Sequence, residues 1–330
     1  VVVTAAVLVV LHLLSWLARL LPHNEAIRSS LAESFEARPF FYTLRCYLHQ
    51  RYGRDNNLLS FELQDEAARD LGAGMDPAEW MRLYYQHARQ TWQATRRTLD
   101  YTESLDPSLL RQFRDRRSRL STSEYTVSRD RVYLRNPAET THSAEAVLRL
   151  FIFCARHGIK LSWDAQRRLR AYLPVLGERF ISEPPQWNVW SELLSQPYTS
   201  LALLEMEETG VLKAAIPEWK VVDGLVCRDF YHRYTVDEHT LVAIGVVDNL
   251  ERGQSDTSKR LQQIFHEAEE PAVLRMALLL HDIGKGTHPG EHIVGSVEIA
   301  DTVLDRISVP DQHRHTIRCL IEHHLDLSLL

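Results

Sequence analysis

At 330 residues, with 45% apolar and 25% charged side chains, the chain is long enough for two or three domains and can bury a core without covalent staples. Its net charge of −6 excludes a general nucleic-acid binder, which displaces counterions with a basic face; only a local basic cleft is left open. Cys46, Cys154, Cys227 and Cys319 are widely spaced and form no C-x-x-C pair. They read as reduced core thiols of a cytoplasmic protein, and neither a disulfide frame nor a thiolate metal site is expected.

Residues 1–21 are almost wholly apolar and about the length of a membrane span. No basic stretch precedes them and no clean small-residue cleavage site follows, so they do not read as a signal peptide. His12 and Arg19 fit a span badly, and the preferred reading is a buried helix cut from a larger domain, with a membrane anchor as the alternative. From Ala78 the apolar and aromatic residues recur at helical spacing, with Asp76–Pro77 as a start signal. Two short β-rich runs, Tyr125–Val127 and Val132–Leu134, flank a polar turn and predict a hairpin. A further helix runs from Ser143 and stops at Gly158. Pro184–Pro185 breaks the chain before a helical stretch ending at Gly210, and Pro217 opens an irregular connector through Gly224. The fold class expected is mainly α: residues 1–195 form a helical region with a small hairpin near 124–135, and residues 196–330 form an all-helical domain.

Ten of the sixteen histidines lie between His232 and His324. Thr235 and Glu238 make a capping box, so a helix is expected to begin there with His239 in its first turn. His239 extends an apolar stripe of Val242, Val246 and Leu250. The run Val273–Leu280 is apolar apart from Arg275 and ends in His281–Asp282. A carboxylate and an imidazole at the end of a buried helix must be paired or coordinated, because unpaired burial costs several kcal/mol. Imidazole with carboxylate suits a divalent cation such as Mn, Mg, Fe or Zn. Lys285, in the glycine-rich loop that follows, reads equally as a phosphate contact and as a solvated loop lysine. His292 opens another helix whose Gly295 and Ser296 permit close packing. His324 shares a face with Ile317, Leu320 and Ile321, and His323 lies about a third of a turn round. His266, His288, His313 and His315 fit no role and read as surface residues. The ligand atoms of His239, His281 and Asp282 are expected to converge on one point, about 2.0–2.2 Å from a metal.

The order H…HD…H…HH resembles the HD superfamily of metal-dependent phosphohydrolases. The segment RDFYHRYTVDEHTL is similar to the opening of the HD domain in bacterial [protein-PII] uridylyltransferase/uridylyl-removing enzymes. Upstream, LRCYLHQRYGRDNNLLSFELQDEAARDLG, EWMRLYYQHAR and LEMEETGVLKAAIPEW resemble the helical region that joins the nucleotidyltransferase and HD domains of that family. The likeness runs from about Phe35 to the C-terminus. It implies that His239, His281 and Asp282 hold a divalent ion, and that His292, His323 and His324 hold a second or shape a phosphate pocket. It further implies that Asp282 and Lys285 take part in the chemistry, Lys285 by neutralising developing charge. The implied reaction is hydrolysis of a phosphodiester: removal of UMP from a tyrosine of the PII signalling protein, in the regulation of nitrogen metabolism. Because that substrate is a protein, the site should be open at one side. The alternatives are an inactive HD interaction module, a phosphohydrolase of free nucleotides, and a membrane-tethered helical protein.

The family's nucleotidyltransferase signature, a Gly-Ser followed by paired aspartates, is not found in the sequence, and neither are its ACT domains. The closing metal-ligating Asp is expected beyond Leu330, with Asp326 as a nearby substitute. The sequence therefore reads as a central fragment of that architecture or as the product of a degenerate gene. These 330 residues, incubated with PII and labelled UTP, should leave PII unlabelled; clear transfer of label would reveal a transferase site that this reading lacks.

Overall fold

The computed structural model describes residues 2–3, 5–20, 36–53, 56–104, 116–226, 235–253, 259–267, 270–288 and 290–326, with residues 28, 32 and 34 singly. Fifteen α-helices and two small sheets occur among them. The chain forms two units, one of residues 1–108 with 224–235, the other of residues 109–223 with 236–330. Position 195 lies inside the second unit, at the C-cap of a helix.

The first unit holds α1 (Ala5–Leu20), α2 (Ala37–Tyr52), α3 (Phe61–Asp70) and α4 (Pro77–Ser104). Strands β1 (Val2–Val3) and β2 (Leu58–Leu59) pair antiparallel. Local chemistry sets the helix starts: the Ser60 hydroxyl accepts from the Leu63 amide, and the Asp76 carboxylate accepts from the Ala78 amide at 2.8 Å. Leu8 and Leu11 of α1 are buried with Phe41, Leu44, Trp80 and Tyr84. Among the described residues no helix is long and apolar enough to cross a membrane. Cys46 and Cys319 are exposed and only Cys154 is buried, which corrects the expectation of core thiols; Cys227 lies outside the described residues.

The second unit begins with the expected hairpin, β3 (Tyr125–Ser128) and β4 (Arg131–Leu134), with Tyr125 opposite Leu134. Arg129 and Asp130 both adopt positive φ at its two-residue turn, as a type I′ turn requires. A third strand, β5 (Lys160–Leu161), adds parallel to β4; it is too short to leave an alternating pattern in the sequence. Helices follow: α5 (Pro137–Thr140), α6 (Ala144–His157), α7 (Trp163–Ser182), α8 (Trp187–Leu194), α9 (Thr199–Thr209) and α10 (Val211–Ala215). The helical stretch expected to end at Gly210 does so as two helices, and the connector after Pro217 is a 3-10 turn through Val221. Then come α11 (Val236–Glu251), α12 (Lys259–Glu267), α13 (Pro271–Leu280), α14 (His292–Arg306) and α15 (Asp311–Glu322). Against α13 pack α8, α11 and α15, so the element that ends in His281–Asp282 is held from several sides.

Glu205, on α9, is 1% exposed and accepts hydrogen bonds from the Leu161 amide (3.2 Å) and the Gln166 side chain (3.0 Å). Burial pushes its carboxyl up to about 7, with Glu208 adding to the shift and the two hydrogen bonds opposing it. A raised carboxyl takes up a proton on folding, so its contribution to stability is present below the unfolded value of 4.5 and is lost as pH rises through about 7. Glu205→Gln keeps an acceptor oxygen and removes the titration. Between about pH 5 and pH 8 the native protein should lose on the order of 2–3 kcal/mol relative to this variant, read from urea midpoints. Parallel midpoints across that range would refute the assignment.

Candidate metal centre

α11 starts directly after Thr235, where the capping box places it, and His239 sits half-buried in the first turn. The buried face of this helix is not the predicted stripe. Val242 and Val246 are 41% and 49% exposed, whereas Asp237, Thr240, Leu241, Ile244, Val247 and Asp248 are buried. Two aspartates lie on the inner face, and a purely apolar search passes over them. α13 opens with Pro271 at a position where a missing N–H is harmless, and buries nearly its whole length. His281 caps it, and Asp282 leads into a 3-10 turn, Ile283–Gly286.

That turn lies hard against α14. The Gly284 amide donates to the Ser296 hydroxyl at 2.9 Å. A Cβ on Gly284 would overlap the backbone of His292 and Ser296, and one on Gly286 would overlap Val221. Glycine is needed here for close approach, and that approach brings His292, the first residue of α14, to the Asp282 carboxylate.

Six of the seven residues singled out in the sequence come together. The ligand atoms of His239, His281 and Asp282 lie within 4.8 Å of one another, and so do those of Asp282, His292 and His324; Asp282 belongs to both groups. Ring centroids of His281 and His324 are 5.1 Å apart, and His239–His281 and His292–His324 are each 5.8 Å apart. Asp282 is 3% exposed. Its Oδ2 meets the Lys285 ammonium at 2.8 Å and lies 3.3 Å from His281 Nε2. Lys285 therefore reaches the group through Asp282 and is not a solvated loop residue. His323 is not brought in: its side chain is 62% exposed, and Nδ1 lies 2.9 Å from the Asp326 carboxylate. The helix ends at Glu322, so the two adjacent histidines leave it in different directions. Leu320 is 38% exposed, leaving Ile317 and Ile321 as the buried neighbours on that face.

The donor atoms are arranged as ligands. His281 Nδ1 donates to the Leu278 carbonyl and His324 Nδ1 to the Ile321 carbonyl, each at 2.7 Å. A carbonyl only accepts, so each Nδ1 carries a proton, and in the neutral form of either ring the lone pair is at Nε2. His324 Nε2 lies 3.7 Å and His292 Nε2 3.9 Å from Asp282 Oδ1. Asp282 Oδ1 and His292 Nε2 are buried and have no hydrogen-bond partner. Leaving both atoms buried without a partner costs free energy, and a cation between them would satisfy both, so these residues fit a divalent metal. Burial works to raise the Asp282 carboxyl, but His281 and Lys285 outweigh it and hold the group well below the usual carboxylate range. Burial lowers His292 and His324, and Lys285 lowers His292 further. Carboxylate and neutral imidazole are the protonation states that ligate.

Glu207, Asp223 and Asp237 also lie within 4.8 Å of one another, but Lys213 already meets Glu207 at 3.2 Å and Asp223 at 3.0 Å. His313 departs from its surface reading. It accepts from Trp187 Nε1 at 3.0 Å and meets Glu270 at 2.8 Å, and so joins α15 to α8 and to the start of α13. Residues 227–234, which carry part of the HD-opening resemblance, and Leu330 lie outside the described residues.

The family model described as GlnD PII-uridylyltransferase matches residues 1–99, and the HD domain model matches residues 249–329. The bifunctional uridylyltransferase/uridylyl-removing enzyme of Cereibacter sphaeroides is 32% identical over 308 residues, covering 90% of this chain and 33% of that protein. Those of Ruegeria pomeroyi and Bradyrhizobium sp. are 31% and 28% identical, over 94% and 96% of this chain and 35% and 37% of their own lengths. The chain thus spans about a third of the length of the curated relatives it matches. The likeness is continuous over nearly all of these residues and includes the cluster's elements, so the chain is homologous to the bifunctional uridylyltransferase/uridylyl-removing enzymes and carries an HD domain.

Proposed function

We propose that the cluster around Asp282 is a metal-dependent phosphodiesterase site that removes UMP from the uridylylated PII protein, in the cytoplasm. The observation that carries the reading is the unpartnered Asp282 Oδ1, buried opposite the Nε2 atoms of His292 and His324. His239, His281 and Asp282 would hold one ion, and Asp282, His292 and His324 a second or the phosphate side of the site. His323, exposed and paired with Asp326, belongs to neither group. The HD domain would extend upstream of the matched residues toward position 196, since His239 precedes them and still reaches the cluster.

A divalent cation supplies Lewis acidity and lowers the pKa of a bound water. The protein's own groups do the rest. The carbonyls of Leu278 and Ile321 hold Nδ1 of His281 and His324 as donors, which orients both rings and leaves Nε2 as the atom that would ligate. Lys285 sits 14% exposed beside Asp282, close enough for its ammonium to offset charge that builds on a phosphoryl oxygen. His239 and His292 lie less buried than Asp282, which fits a site that a tyrosyl phosphodiester carried by another protein could reach.

Asp282→Asn keeps the shape and removes the charge that a cation needs. Purified native protein should contain bound divalent metal and hydrolyse both a generic phosphodiester and uridylylated PII, whereas the variant should lose metal and activity together. A helix-end residue without that role would cost roughly 0.5–2 kcal/mol of stability and leave metal content unchanged. A native protein with neither metal nor activity, or a variant that matches it in both, overturns the proposal.

A further inference from the structure

Arg275 interrupts an otherwise apolar helix and is 0% exposed. Its guanidinium engages Asp248 Oδ1 twice, from Nε at 3.0 Å and from the terminal nitrogen at 2.9 Å. It also donates to the Leu194 carbonyl at 2.9 Å and to Glu251. The second Asp248 oxygen accepts from the Ser200 amide at 2.7 Å. Near the start of α13, then, a single side chain holds the end of α11, the end of α8 and, through Asp248, the start of α9.

α11 and α13 run antiparallel. Arg275, near the start of α13, meets Asp248 and Glu251 at the end of α11, while His239 at the start of α11 lies beside His281, just past the end of α13. Asp248 is nine residues from His239, about 13 Å along the axis, and Arg275 is six from His281, about 9 Å. The long arginine side chain leans toward the helix N-terminus and makes up the difference. The two helices are pinned at one end and carry the ligands at the other.

We infer that the Arg275–Asp248 pair is a positioning clamp, setting the register of α11 against α13 so that His239 reaches the His281–Asp282 group. The inference rests on the reading of that group as a metal site, and its consequence for register does not. A buried ion pair in which two guanidinium nitrogens converge on one carboxylate oxygen fixes orientation as well as distance, which an apolar contact able to slide does not.

The variant Arg275→Met/Asp248→Asn removes both charges and leaves an oxygen to accept the Ser200 amide. In metal-free, histidine-labelled protein, a nuclear Overhauser contact between the His239 and His281 rings reports the register directly. It should be present in the native protein and lost in the double variant; its persistence in the variant, or its absence from the native protein, overturns the clamp. Mn2+ titration supplies the second readout. His239→Ala should weaken Mn2+ binding about 10-fold or more in the native background. On top of the clamp variant it should weaken binding less than about twofold, because the ligand is already displaced. Effects that simply multiply overturn the clamp. If the double variant does not fold, Arg275→Lys takes its place: one ammonium replaces the planar fork, and an unchanged ring contact with unchanged Mn2+ affinity overturns the inference. Native protein that binds no Mn2+ overturns the metal reading, and the ring contact alone then decides the clamp.

Discussion

Burying the Asp282 carboxylate sets the terms for everything around it. At 3% exposure, a charged group costs several kcal/mol unless the protein compensates it. Lys285 supplies an opposite charge, and His281, in its protonated form, a second charge and a donor at Nε2; together they hold the carboxyl low against the effect of burial. Both act on Oδ2, and Oδ1 is left facing two imidazole nitrogens. Two of these atoms being unpartnered is a cost in the protein alone and a benefit once a cation lies between them.

The rest of the second unit can be understood as the means of bringing four separate pieces of chain to that carboxylate. α13 delivers His281 and Asp282 by ending where it does. Gly284 lets the next turn lie directly on α14, so that His292 arrives without a linker. α15 packs on both α13 and α14 and releases His324 at its C-terminal end. α11 contributes His239 from a position forty-three residues before Asp282 (282 − 239). No hydrogen bond within the cluster can set that distance; it depends on how the helices pack. Buried charge recurs in that packing, since Arg275 and Asp248 are as deeply enclosed as the leucines around them.

The homology and the geometry carry different parts of the conclusion. Likeness to the bifunctional enzymes runs through the helical first unit as well as the cluster. It says nothing of whether His239, which precedes the HD match, belongs with the other ligands. Distances bring it beside His281 and Asp282, and exposure separates His324 from His323, two residues that any motif treats alike.

Much was legible in the amino-acid sequence because it is local chemistry. Ser143, Asp76 and Gly158 mark helix ends by hydrogen bonds or backbone freedom that involve only near neighbours. The hairpin follows from two β-rich runs and a polar turn, and the mainly α class from apolar spacing. His281–Asp282 at the end of an apolar run announces a compensated buried charge wherever the helix packs. What lies across the chain could not be read in this way. The third strand is two residues long and exists only because β4 offers an edge. The inner face of α11 carries Asp237 and Asp248, polar residues that a hydrophobic stripe assigns to solvent, and it left Val242 and Val246 outside. Arg275 looked like an exception in its helix until Asp248 came to meet it. A ligand set is a statement about points in space, and a sequence fixes only the order in which those points are visited. Convergence of His239, Asp282, His292 and His324, and exclusion of His323, were decided by packing, because only packing determines which side of each helix faces the same cavity-sized region.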